Sequence, residues 1–215
     1  MLWLRRFVMI VVPIALVALE WHHPAGFSKD VFHGLNHLAS FWQWLHMAQS
    51  FLFGGIAVAA FLLTYRINNV WGILSKIFVW TFAVCYLVFD STAGIAVGSI
   101  LQIHQQNPQL DTGTVQQVVQ KLFNDPVIGG VASVYSLMGS WSWLLGIGCA
   151  IVALFLDNKG SISYGKLIPP LCLLLFSGLT LFVGHYYPYG PLAFSSFALA
   201  GVWFEYFHYG PAREF

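Results

Sequence analysis

The sequence predicts an all-α fold: a six-transmembrane-helix bundle with both termini cytoplasmic and a short amphipathic surface helix in one outer loop. Three observations lead there. Of 215 residues, 58% are hydrophobic and only 8% are charged, where a soluble domain carries about 25% charged residues. Apolar runs recur at lengths near the roughly 20 residues that cross about 30 Å of hydrocarbon. The basic residues also segregate. Arg5, Arg6, Arg66, Lys76, Lys159, Lys166 and Arg213 fall on one side, and only Lys29 and Lys121 on the other. Lys and Arg accumulate on the cytoplasmic side of membrane proteins, which orients the chain.

The expected spans run from 2 or 7 to 21, 41–65, 73–103, 127–156, 167–187 and 192–209. The first is short unless Arg5 and Arg6 extend their charged ends to the interface. It resembles a signal peptide, but no small-residue cleavage site follows, so it reads as an uncleaved span. No linker or internal repeat interrupts the chain, which reads as one integral membrane helical domain, 1–215. Its first partner is the lipid bilayer, in this reading a bacterial cytoplasmic membrane. A homo-oligomer and a lipid or small-molecule ligand are compatible with such a bundle.

Two long connections fall on the outer side. "HPAGFSKDVFHGLNHLAS" joins spans one and two, and "HQQNPQLDTGTVQQVVQKLFNDP" joins spans three and four. In the latter, Val115, Val118, Val119, Leu122 and Phe123 follow helical spacing, which predicts the amphipathic surface helix. "NDP" is expected to start span four, with Asp125 as N-cap and Pro126 in the first helical position. "YYPYGP" is a tight turn with interfacial tyrosines between spans five and six.

Several function classes fall away. The net charge is +1 and the nine Lys and Arg are scattered, so there is no basic patch for nucleic acid. Cys85, Cys149 and Cys172 all lie in apolar runs without a CxxC pair, which removes thiol-redox and zinc-ribbon readings. Gly129, Ser133, Ser136 and Ser140 share a helix face that reads as a packing stripe, not as nucleophiles.

The histidines carry the one chemical signal. His22, His23, His33, His37, His46, His104 and His185 all fall at the outer side, and only His208 at the other. Each alone is an ordinary boundary residue, with an apolar body and a polar tip. Together they place imidazoles from several helices at one depth, and imidazole is the commonest transition-metal ligand in proteins. His33 and His37 form an HxxxH, but in a loop and without an acid. Two acids join the layer. Glu20 lies three residues before His23, on the same helix face. Asp90 sits inside span three, roughly 21 Å along the helix from Lys76, where an ionisable residue is costly and marks a functional site. Gly94 and Gly98 follow it at helical spacing and let a neighbouring helix approach. Glu205 and His208 share a face at the cytoplasmic end and read as a surface pair, with Arg213 close by.

At these positions the chain resembles an uncharacterised family of small bacterial six-span integral membrane proteins. The likeness rests on "LEWHHP", "WLHMAQ", "VFDSTAGIAVG", "NDPVIGG" and "HYYPYGP" and extends over most of the chain. It implies a six-span fold and no activity. It implies Glu20, His23, His46, Asp90 and His185 as the site, and leaves His22, His33, His37 and His104 aside. Three histidines with an aspartate are also similar in kind to the zinc site of the alkaline ceramidase and adiponectin receptor hydrolases. Those have seven spans, an HxxxH in the last and a Ser four residues before the histidine of the second. Here span six has no HxxxH and Trp42 stands four before His46, so the likeness is one of ligand types only.

Three functions follow as expectations. The first is a metal centre made by His23, His46 and His185, with Glu20 and Asp90 as ligands or supports. Imidazoles with a carboxylate suit Zn²⁺ best, and also Cu or Fe. An open coordination position would activate water, making the protein a membrane hydrolase with Asp90 as acid, base or proton relay. The second is a haem-binding redox protein with two axial histidines. The third is a non-enzymatic proton or ion path through Asp90. The pair in "HHP" points in two directions about 100° apart. Only one ring can face the bundle, and His23, beside Glu20, is the one expected to do so.

Overall fold

The structure, a computed structural model, describes residues 2–26, 29–130 and 132–208. In chain order these form α1 (Leu2–Trp21), α2 (Val31–Asn36), α3 (Ala39–Thr64), α4 (Val70–Phe89), α5 (Val97–Gln106), α6 (Thr112–Phe123), α7 (Val134–Asn158), α8 (Tyr164–Val183) and α9 (Tyr189–Trp203). A π-helical segment, Asp90–Ala96, joins α4 to α5 without a break, and a second, Phe204–His208, follows α9. Among the described residues no β-strand forms.

Four rods are long and apolar enough to cross a membrane: Ala39–Thr64, Val70–Gln106, Val134–Asn158 and Tyr164–Val183. Their length and composition are those of a membrane protein. Many large apolar side chains, Trp44, Phe51, Trp80 and Leu199 among them, face outward. A lipid-facing surface accepts this because helices pair most of their backbone groups internally. α1 packs on α3 and α9, α3 on α4, α4 on α7, α7 on α8, and α8 on α9. These contacts close a ring of helices. Its interior is aromatic: the Phe82 and Trp143 rings lie 4.8 Å apart, and those of Phe53 and Tyr86 4.9 Å apart.

One end of the ring is capped. Asp111 accepts from the Thr114 N–H at 2.8 Å and from its hydroxyl at 2.7 Å, a side-chain cap that starts α6. α6 buries Val119 and Phe123, half-buries Val115 and Leu122, and turns Val118 outward. With Val31, Phe32 and Leu35 of α2 and Val97 and Leu101 of α5, these residues build a second, smaller core over the end of the ring.

Two local expectations are corrected. "NDP" does not start a membrane helix. The Asp125 carboxylate accepts from the N–H groups of Val127 and Ile128 at 2.8 and 3.0 Å, but it caps only a turn. Gly130, at φ +68°, reverses the chain. α7 begins at Val134, where Ser133 Oγ accepts from the Ser136 N–H at 3.2 Å. Nor is Glu205 a surface residue. It is 1% exposed, and the Arg5 guanidinium donates to it at 2.6 Å. Burial forces the acid to find a counter-charge, and α1 supplies it. Arg213 and Tyr209 lie outside the described residues.

Candidate metal centre

Glu20 is the penultimate residue of α1, and the helix ends there because the chain must accommodate Pro24. The last backbone bonds run from His22 to Leu19 and from His23 to Glu20, at 3.2 and 3.3 Å. Trp21 and His22 point outward and are exposed, while Glu20 is fully buried. His23 turns into the bundle. Its Nδ1 lies 2.8 Å from the Pro24 carbonyl oxygen. A carbonyl only accepts, so Nδ1 carries the proton and Nε2 presents its lone pair. Burial pushes the His23 imidazole down to about 4, against the opposing pull of the Pro24 carbonyl. The ring is therefore neutral at physiological pH, the state a metal requires.

His46, on α3, is held the same way. Its Nδ1 donates to the Trp42 carbonyl at 2.8 Å, one helical turn back, leaving Nε2 as the acceptor. The Trp42 indole lies against the His46 ring at 4.1 Å and anchors itself through Nε1 to the Ala93 carbonyl at 3.1 Å. His185 follows the end of α8, where Gly184 extends the chain. Gly190 then lets the returning turn lie against Glu20. A Cβ there would sit 3.0 Å from the Glu20 Cβ and overlap the His185 carbonyl.

Glu20, His23 and His185 each place a ligand atom within 4.8 Å of the others. In a tetrahedral site with bonds of 2.0–2.1 Å, donor atoms stand about 3.3 Å apart. A closure of about 1.5 Å would therefore bring the three onto one ion. The His23 ring centroid is 4.9 Å from that of His185 and 5.3 Å from that of His46. His46 thus borders the group. Asp90 begins the π-helical segment, is fully buried, and lies close enough to Glu20 for the two carboxylates to interact. Gly94, one turn outward of it, lies directly against the His46 ring, and a Cβ on Gly98 would come within 2.8 Å of Gln43. The two glycines are where α3 meets this segment and the start of α5.

The electrostatic character of the group is one-sided. Gln49 Nε2 donates to Glu20 Oε1 at 2.7 Å. Glu20 Oε2, Gln49 Oε1, His23 Nε2 and both Asp90 carboxylate oxygens are buried without a donor among the described residues. With both carboxyls ionised, all are acceptors once His23 has committed its proton to Pro24. Buried polar groups are normally paired, and a cluster of unpaired acceptors calls for a cation.

A cavity of about 420 Å³ opens onto the three histidines. Its walls are Trp42, Phe89, Ala93, Phe123 and Tyr186, and the Pro24–Gly26 turn forms its edge. The other outer histidines stand apart. His33 pairs with Asp30 at 2.8 Å on the surface, and His37 is exposed. His104 packs on Phe32 at 5.5 Å, within the cap. Two more side chains border the group, and only Tyr86 escaped the sequence reading. Gln49 steadies Glu20. Tyr86, whose hydroxyl meets Ser140 Oγ at 3.2 Å, lies beside His185 and Asp90. Tyr86 stands four residues before Asp90, a spacing that shares a helix face and could have revealed it.

Comparison with protein-family models, curated proteins and solved structures returns no match for this chain.

Proposed function

We propose that the protein crosses the cytoplasmic membrane of a bacterium six times and carries a zinc centre at the outer end of the bundle. Glu20, His23 and His185 hold the ion, His46 stands ready as a further imidazole, and Asp90 accepts or relays a proton. The observation that carries this reading is the buried group of acceptors with no donor to pair them. Two imidazoles and a carboxylate are a donor set of the catalytic zinc type, which leaves one position for water. Zinc lowers the pKa of that water to about 7, so the reaction class is hydrolysis. The cavity over the histidines supplies the place for a substrate.

A single ion suits this geometry better than haem. The His23 ring touches His185 edge-on at 4.9 Å and His46 edge-on at 5.3 Å. No macrocycle passes between rings already in contact. Elemental analysis of protein purified without a polyhistidine tag decides the matter. About one zinc per chain is expected, falling to background in a His23→Ala, His185→Ala double variant. Wild-type protein without a transition metal, or a double variant that keeps its full content, would refute the centre.

A further inference from the structure

We propose, resting on the hydrolytic zinc centre above, that the substrate is an uncharged amphiphile, a carboxylic ester with an apolar acyl chain, taken up at the membrane–water boundary. The cavity wall decides the charge. Apart from the three histidines, the cavity presents aromatic and aliphatic surface, and among the described residues neither Lys nor Arg lines it. A phosphate or free carboxylate would enter with no cation but the metal to receive it, next to the buried acids Glu20 and Asp90. Desolvating an anion there is unfavourable, whereas an apolar chain gains from every methylene that the walls cover.

The size and the mouth narrow the class further. About 420 Å³ corresponds to roughly fourteen water volumes at ~30 Å³ each. That suits a chain of medium length, not a polymer. Ala25 and Gly26 line the cavity and are themselves exposed, so it opens beside them. Trp21 and Tyr187, both exposed, meet edge-to-face at 5.2 Å at the same end of the bundle. Exposed Trp and Tyr mark the headgroup level of a bilayer. The mouth therefore lies where amphiphiles reside, with the polar floor at its inner end.

The chemistry balances without a further reactant. An ion held by Glu20, His23 and His185 would supply an activated water, whose oxygen would add to the ester carbonyl carbon while Asp90 takes one proton. The C–O bond to the alcohol then breaks, and the proton returns to the departing alkoxide. The products are a carboxylic acid and an alcohol, with no redox change.

Three probes test this on detergent-purified, zinc-loaded protein: the p-nitrophenyl esters of octanoate and acetate, and p-nitrophenyl phosphate. The octanoate ester should be turned over with kcat/KM at least about tenfold above the acetate ester, and the phosphate ester should not react. Phe123→Trp, which fills the cavity, should abolish the chain-length preference while zinc content stays at one per chain. Ala25→Phe does the same at the exposed mouth, where folding is not at risk. Three results would overturn the proposal: zinc-loaded protein inert towards both carboxylic esters, turnover of the phosphate ester, or a chain-length preference unchanged in both variants. A protein that holds no zinc fails earlier, at the elemental analysis, and so condemns the centre, not the substrate class.

Discussion

Gln49 Nε2 donates to Glu20 Oε1 at 2.7 Å and leaves Glu20 Oε2 without a donor among the described residues. A support of this kind orients a metal ligand, and its loss typically lowers metal affinity 10- to 100-fold. Gln49→Leu keeps the side-chain volume and removes the hydrogen bond. Zinc affinity, measured by competition with a chelator, should fall by about that factor. Unchanged affinity would mean that Glu20 is not a ligand.

The two adjacent histidines should behave as opposites. His22 is exposed and His23 faces the cavity. His22→Ala should leave zinc stoichiometry intact, and His23→Ala should lose most of it. Equal losses would contradict the assignment.

Gly94 lies directly against the His46 ring. Gly94→Ala must displace that ring or part α3 from the π-helical segment. Overpacking of this kind costs about 1–3 kcal/mol. The variant should melt at a lower temperature in detergent and bind zinc more weakly. A Tm equal to that of the wild type would show that the segment yields.

The Arg5–Glu205 pair ties α1 to the segment after α9, with Glu205 at 1% exposure. Removing one member of a largely buried pair costs up to about 3–5 kcal/mol. Glu205→Ala should therefore destabilise the ring strongly. An Arg5→Met, Glu205→Leu double variant should recover most of the loss, as read from unfolding in mixed micelles.

Asp111 provides a pH test at the cap. The Thr114 hydroxyl and then the Thr114 N–H hold its carboxyl below the usual range. A lowered folded-state pKa contributes stability above the unfolded value, about 3.9. The contribution is lost as pH falls through the folded value. Amide protection across α6 should drop on acidification below about pH 4, and Asp111→Asn should weaken that dependence.

Much of this was legible in the sequence, for identifiable reasons. Long apolar runs with basic boundaries mark the membrane rods, because hydrocarbon thickness sets their length. The orientation of "HHP" follows from helix geometry, with Glu20 marking the inward face. Asp90 stands out because an acid inside an apolar run is costly. Other features depend on distant parts of the chain. The π-helical segment is where the chain fits around Trp42 and His46, and no local pattern announces it. Span four starts at Val134 and not beside Asp125 because Gly129 and Gly130 reverse the chain first. Burial of Glu205 depends on Arg5, 200 positions earlier.

The closed ring has a consequence for how the protein is made. Glu20 and His23 emerge from the ribosome early and His185 late, and Gly190 must follow before the final turn can settle on Glu20. Synthesis runs from the N-terminus, so the complete donor group cannot exist until α9 closes against α1. Uptake of the proposed ion would then be a late event that joins the end of α1 to the turn before α9. A chain truncated before His185 should show its defect first as an inability to retain zinc.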